Sequence, residues 1–342
     1  MAETGLLVCP KAKSGCSSPA GTQGVDYLKV DDMSGSPATR AGAYADYAAI
    51  RDALNKTGRP IFFSTCGHSP RTGAGGHTGG PSWMGGDCAE LANACRIASD
   101  VRYWGPGTFG THKAINIMAE VAGRFSQRGA WPDPDLLFSF QPVGDPTAAP
   151  VPCRGAGVLE WFTGSFCDPV ALHSRSQYGL WAVMGAPLLL SFDLRNLTQY
   201  QLDTIANPEV IAVSQDPAAK PGMRVAGGNI TGFDPATETA TTNVWARELQ
   251  DGSRAVLFLN IGEAAADITC DKACFTAMGW SADGEKMKGV PGEGCAAAGR
   301  LPSSWSVRDL WLKRDIATIT GPSLTAERVP GNGTALFKLT PQ

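Results

Sequence analysis

From residue 24 to about residue 221, short apolar runs alternate with stretches of helical periodicity, and that alternation leaves few folds open. The strand candidates are VDYLKV (25–30), PIFFSTC (60–66), DVRYW (100–104), DLLFSF (135–140) and APLLLSFDL (186–194). Between them lie YADYAAIRDALNKTG, ELANACRIAS, THKAINIMAEVAGRFSQRG and ALHSRSQYGLWAVMG, each with apolar residues near helical spacing. Repeated strand–helix order implies a parallel sheet with covered faces, either a βα-barrel or a doubly wound sheet. Such sheets place their chemistry at the carboxyl ends of the strands. Gly58 and Gly129 follow two of the helical stretches as stops.

Past NPEVIAVSQDPAAKPGMRV the pattern changes. TTNVWARELQ, RAVLFLN, WSVRDLWLKRD, LTAERVP and TALFKLTP are short strands punctuated by DGS and GNG, with no helix of useful length between them. That predicts a small antiparallel β domain over 222–342, after a barrel-like region at 24–221 and an atypical amino-terminal segment at 1–23. The run RTGAGGHTGGPSWMGGD (71–87) reads as a long glycine-rich loop after a strand.

Composition narrows the function. The 342 residues are 43% hydrophobic and 18% charged with a formal charge of −3, which describes a globular protein without a nucleic-acid footprint. The longest apolar stretch, LWAVMGAPLLLSF (180–192), is too short to span a bilayer and holds a glycine and a proline, so no membrane partner is expected. His68, His77, His112 and His173 lack HxxxH or HExxH spacing, and the ten cysteines lack paired CxxC spacing, so no metal is expected. No G-x-S-x-G elbow occurs, and GAGGHTGG lacks the lysine and hydroxyl residue of a phosphate loop. Ten cysteines and four glycosylation sequons, at Asn55, Asn196, Asn229 and Asn332, favour an oxidising secretory route. MAETGLLVCPKAKSG does not read as a signal peptide.

The acids remain. Asp31 ends the run GVDYLKVDD, Asp100 opens DVRYW, and Asp133 and Asp135 frame WPDPDLL. Carboxylates brought together from separate strands suit glycoside hydrolysis, where one attacks or activates water and another protonates the leaving oxygen. Caps and turns also favour aspartate at such places, and this reading stays open on the residues alone.

GVDYLKVDD resembles the nucleophile strand of the α-galactosidases of glycoside hydrolase family 27. TGRPIFFSTC, CRIASDVR, WPDPDLL, LWAVMGAPLLLSFDLRNLT, NPEVIAVSQDP and SVRDLW match the same family in order, so the matches run from residue 24 to residue 311. The resemblance implies a (β/α)8-type barrel followed by an antiparallel β-sandwich domain, and a retaining double displacement without cofactor. It implies Asp31 as the nucleophile and Asp100 as the acid/base, roughly 5–5.5 Å apart. It also implies sugar-binding roles for Lys29, Cys66, Gly67, Arg96 and Asp135. Asp32 stands where the family has a small polar residue and is read as a neighbour. By resemblance in spacing, Cys66 pairs with Cys88, and Cys270 and Cys274 clip a loop of the β domain. The partners implied are α-galactoside oligosaccharides or glycoconjugates met outside the cell or in a vacuole or lysosome; oligomeric state is left open.

Two departures shape the expectation. Where the family reads C-E-W, with a glutamate on the sugar's 2-hydroxyl, this chain reads CGH, with Gly67 and His68. A small residue there is found in relatives that accept N-acetylgalactosamine, so that specificity is the alternative to galactose. The family's G-[WF]-N-[ST]-W and D-D-G-W motifs are also missing ahead of residue 24. The expectation is a barrel lacking about its first three strands, and with it the further alternative of an inactive carbohydrate-binding remnant.

Overall fold

The computed structural model describes residues 24–31, 40–66, 87–107, 109–137, 169–192, 194–232, 234, 236–281, 299–300 and 302–342. The segment 1–23, Asp32, Gly67, His68 and the glycine-rich run 71–86 lie outside the described residues. Packing divides the chain into two compact units, one of residues 1–99 with 129–133 and one of residues 100–128 with 134–342.

The first unit is built on a parallel sheet of four short strands, β1 (Tyr27–Val30), β2 (Phe62–Thr65), β3 (Ala94–Arg96) and β4 (Trp131–Asp133), in that spatial order. Helix α1 (Arg40–Lys56) connects β1 to β2, and the short α2 (Asp87–Leu91) precedes β3. The α1 sequence is rich in alanine and free of proline, so it holds a long helix at little entropic cost. It ends where Gly58 takes φ +69°, a left-handed conformation that most side chains disfavour. Its buried stripe carries Tyr47 and Leu54, seven residues apart, and the Tyr47 ring lies 6.4 Å from that of Phe63 on β2. Asn93 ties the strand starts together: its Oδ1 accepts the Phe63 N–H at 2.9 Å and its Nδ2 donates to the Gly129 carbonyl at 3.0 Å. A disulfide between Cys88 and Cys95 fastens α2 to β3.

The second unit contains α3 (Thr111–Phe125), α4 (Pro169–Met184), a 3-10 turn (Leu194–Asn196), α5 (Gln199–Ile205) and α6 (Pro208–Ser214). Strands β5 (Met223–Gly227), β6 (Thr242–Glu248), β7 (Arg254–Asn260), β11 (Ser304–Asp309), β12 (Arg314–Thr320) and β14 (Gly333–Pro341) make a six-stranded antiparallel sheet in the order β12-β11-β14-β7-β6-β5. A second layer pairs β8 (Ala266–Cys270) with β13 (Leu324–Val329) and adds the helix α7 (Lys272–Ala277); β9 (Trp280–Ser281) and β10 (Gly299–Arg300) form a minimal parallel pair. The core between the layers is aromatic and branched, with Phe258, Phe275, Trp280, Trp305, Ile268, Val307 and Leu339 buried together. Strand β7 is buried along its whole length. One face meets that core, and on the other α4 packs so closely that a Cβ on Gly179 would stand 3.1 Å from the Leu257 Cδ1. A strand covered on both sides needs no polar alternation, which is why RAVLFLN reads as one continuous apolar run.

Four sequence expectations are corrected. ELANACRIAS is not one helix: α2 stops at Leu91 and the same run supplies β3 at Ala94–Arg96. DVRYW lies after a strand, contributing only an isolated bridge between Tyr103 and Gly110, and the described part of DLLFSF, residues 135–137, follows β4, with Leu137 bridging Leu190. In both cases the paired strand is the short, less apolar stretch just upstream. APLLLSFDL likewise forms only that single bridge among the described residues.

Candidate active site

In the first unit the strand register decides which side chains meet. Lys29 pairs with Ser64, Ser64 with Ala94, and Ala94 with Trp131; two residues on, Arg96 pairs with Asp133. Side chains two apart on a strand share a face. Lys29, Asp31, Ser64, Cys66, Arg96 and Asp133 therefore stand on one face, with Asp31, Cys66, Arg96 and Asp133 forming the layer at the carboxyl ends. That is where parallel βα folds carry their chemistry.

Asp31 is the exposed member of this layer. Its backbone is held in two ways. The Tyr47 hydroxyl donates to the Asp31 carbonyl at 3.1 Å, and the Cys66 N–H donates to the Val30 carbonyl at 3.1 Å. The buried Tyr47 of α1 thus fixes the last turn of chain from which an exposed carboxylate projects. Arg96 and Asp133 are almost wholly buried, and Arg96 donates to the Ala98 carbonyl at 3.2 Å. The Lys29 Nζ lies 3.7 Å from the Asp133 Oδ2, with the Lys29 side chain 26% and the Asp133 side chain 1% exposed. Cys66 carries a free thiol. Burial, and then its hydrogen bond with Asp31, push that thiol up to about 12, against the weaker opposing pull of Arg96 and Lys29. The thiol is therefore neutral and serves as a hydrogen-bonding neighbour of Asp31. One expectation is overturned here: Cys88 bonds to Cys95 and not to Cys66, because α2 and β3 bring those two sulfurs together across seven residues. Cys270 and Cys274 do form the short clip at the start of α7.

The second unit holds the other acids. Asp100 is exposed, its Oδ2 3.6 Å from the Arg102 guanidinium. Asp135 is buried, at φ +90°, and its two carboxylate oxygens accept the backbone N–H groups of Val101 at 2.7 Å and Leu136 at 2.8 Å. The Trp181 indole N–H donates to the Asp135 carbonyl at 2.7 Å. Asp135 therefore ties down the backbone immediately after Asp100. Gly67 lies outside the described residues. Among the described residues no group of three or more histidine, cysteine or acidic side chains could hold a metal ion.

Sequence reasoning passed over Tyr47 and the Lys29–Asp133 contact. Asp133 was read only as one of the acids framing WPDPDLL, with the strand placed at 135–140; the structure puts it on β4 in register with Arg96.

Two family descriptions match this chain: the C-terminal β-sandwich domain of α-galactosidase over residues 239–339, and α-galactosidase A over residues 162–216. α-Galactosidase 3 of Arabidopsis thaliana is 28% identical over 326 residues, covering 93% of this chain and 56% of the relative. Both likenesses are to α-galactosidases. Among solved structures, α-galactosidase I from Mortierella vinacea superposes with a TM-score of 0.65 at 23% identity, over 94% of this chain and 70% of that one. The α-galactosidase of Saccharomyces cerevisiae with raffinose does so with a TM-score of 0.65 at 18% identity, over 94% and 74%. The four parallel strands accordingly fit the barrel of that fold, and the antiparallel sheet fits the β-sandwich domain matched over residues 239–339. The chain spans little more than half the length of its Arabidopsis relative.

Proposed function

We propose that this protein is a retaining α-galactosidase in which Asp31 is the nucleophile and Asp100 the acid/base. The observation that carries the reading is Asp31 itself: an exposed carboxylate at the carboxyl end of a barrel strand, on one face with a lysine and a buried arginine. In the first step an Asp31 oxygen bonds to the anomeric carbon while Asp100 gives its proton to the departing glycosidic oxygen. In the second, Asp100 takes a proton from water, whose oxygen displaces Asp31 and frees the sugar with its original configuration. Lys29 and Arg96 bind sugar hydroxyls, Cys66 and Gly67 border the 2-position, and Asp135 binds a ring hydroxyl while holding the chain beside Asp100. The division into a barrel region at 24–221 and a β domain at 222–342 is part of the same reading. So is a secretory destination, supported by the two disulfides among the described residues and by the sequons. No helix among the described residues is long and apolar enough to cross a membrane.

The test is hydrolysis of an aryl α-galactoside and of raffinose, the sugar bound by the yeast relative. Asp100→Asn should cost roughly 10²- to 10⁴-fold in turnover, the usual worth of a placed acid/base. Asp31→Asn should abolish measurable turnover. Absence of activity in folded wild-type protein defeats the proposal, and faster cleavage of an aryl α-N-acetylgalactosaminide would reassign the sugar.

A further inference from the structure

We propose that Asp133 is a positioning residue that anchors the ammonium of Lys29 beside Asp31; the inference rests on the reading of Asp31 given above. Neighbouring strands lie roughly 4.8 Å apart, so the first and fourth strands of a flat sheet would be separated by roughly 14 Å. Their side chains would stand off the face side by side without meeting. Yet the Lys29 Nζ on β1 comes within 3.7 Å of the Asp133 Oδ2 on β4, with β2 and β3 between them. The sheet curls toward this face, and the contact reaches across the concavity. It joins the strand that carries Asp31 to the strand at the far edge of the site.

The two partners are unequal. Asp133 is buried and belongs to a three-residue strand pinned by register to Arg96, and its carbonyl accepts the Ile97 N–H at 3.1 Å. Lys29 is a long, partly exposed chain with four rotatable bonds and no rigid fork of its own. The carboxylate is therefore the fixed member and the ammonium the held one. Two positions along from Lys29, Asp31 is on the same face, so the place at which the lysine is held decides what charge the nucleophile meets. Asp133 itself need not touch sugar to matter; it acts through Lys29.

The experiment follows Lys29 directly. Full-length wild-type protein and Asp133→Asn are pulsed with acetic anhydride, and acetylation of Lys29 is read by peptide mass spectrometry against an exposed reference lysine. Release of the ammonium should raise Lys29 labelling at least threefold. On an aryl α-galactoside, Asp133→Asn should lower kcat/KM by tenfold or more, while the same change made in a Lys29→Met background should cost at least fivefold less. Unchanged labelling, or equal losses in both backgrounds, overturns the proposal. Where Asp133→Asn does not fold, Asp133→Glu takes its place: activity lost together with altered Lys29 labelling supports the role, and activity lost with labelling unchanged overturns it. A wild type without turnover sinks the proposed hydrolase alone, since the labelling comparison still decides whether Asp133 holds Lys29.

Discussion

Cys66 shows how a neighbouring acid and burial change what a side chain can do. A thiol at about 12 presents far less thiolate at pH 8 than one at its ordinary value of 9. Even allowing for the greater nucleophilicity of a high-pKa thiolate, alkylation by iodoacetamide in the folded protein should be at least tenfold slower than in denaturant. Quantified peptide mass spectrometry measures that ratio, and fast modification of the native protein would show the thiol to be solvated. Tyr47 makes a comparable point about position. Its hydroxyl meets the Asp31 carbonyl from inside the core, so Tyr47→Phe keeps the packing and removes one hydrogen bond. The expected loss is about 1 kcal/mol of unfolding free energy by urea titration. Neither residue announces its role in the sequence, because both roles depend on which atom of a distant segment lies opposite.

Strands and helices were readable to different degrees, and the reasons are physical. RAVLFLN was found with its bounds because a strand buried on both faces is apolar throughout and flanked by turn residues. GVDYLKVDD was found because an apolar run ending in acid suits the mouth of a parallel sheet. Strands β3 and β4 were missed because each has three residues, too few for period two to rise above chance, and one contains a proline. Asp31, Lys29, Arg96 and Asp100 are proposed from motif, whereas the pairing of Cys88 with Cys95 followed from the fold, which cysteine spacing does not encode. Where helix meets sheet, spacing is set by glycine. A Cβ on Gly179 would come 3.1 Å from both the Leu257 Cδ1 and the Trp311 Cζ2, so a branched side chain there must push α4 off β7. Gly179→Val should cost about 2 kcal/mol, the usual price of overpacking a filled interface, as read by chemical denaturation. An unchanged midpoint would mean that the helix can slide.

Stability of the folded chain as a whole should depend on acid through two histidines. His112 is buried, its Nδ1 2.7 Å from the Thr231 carbonyl, and its ring lies edge-on to Trp104, on which His173 stacks. Burial pushes both histidines down to about 4, against the smaller upward pull of the Thr231 carbonyl and Glu238 on His112; each histidine also faces the other, and Lys113 follows in the chain. The unfolded chain regains the ordinary value of 6.5, so below that pH it binds protons that the native state refuses. Stability is therefore full above about 6.5, falls as the pH drops toward 4, and levels off below. For His112 alone the loss is at most about 3 kcal/mol. Asp251 works in a different window. Burial alone would raise its carboxyl, but hydrogen bonds from Lys338 and Ser253 bring it down to about 2, so its contribution is complete above 3.8 and disappears below that. Urea titrations at pH 7, 5.5 and 4.5 should show the midpoint falling in wild type and falling less in His112→Gln, whose amide can still donate to the Thr231 carbonyl. Equal slopes in the two proteins would assign the acid sensitivity to groups other than His112.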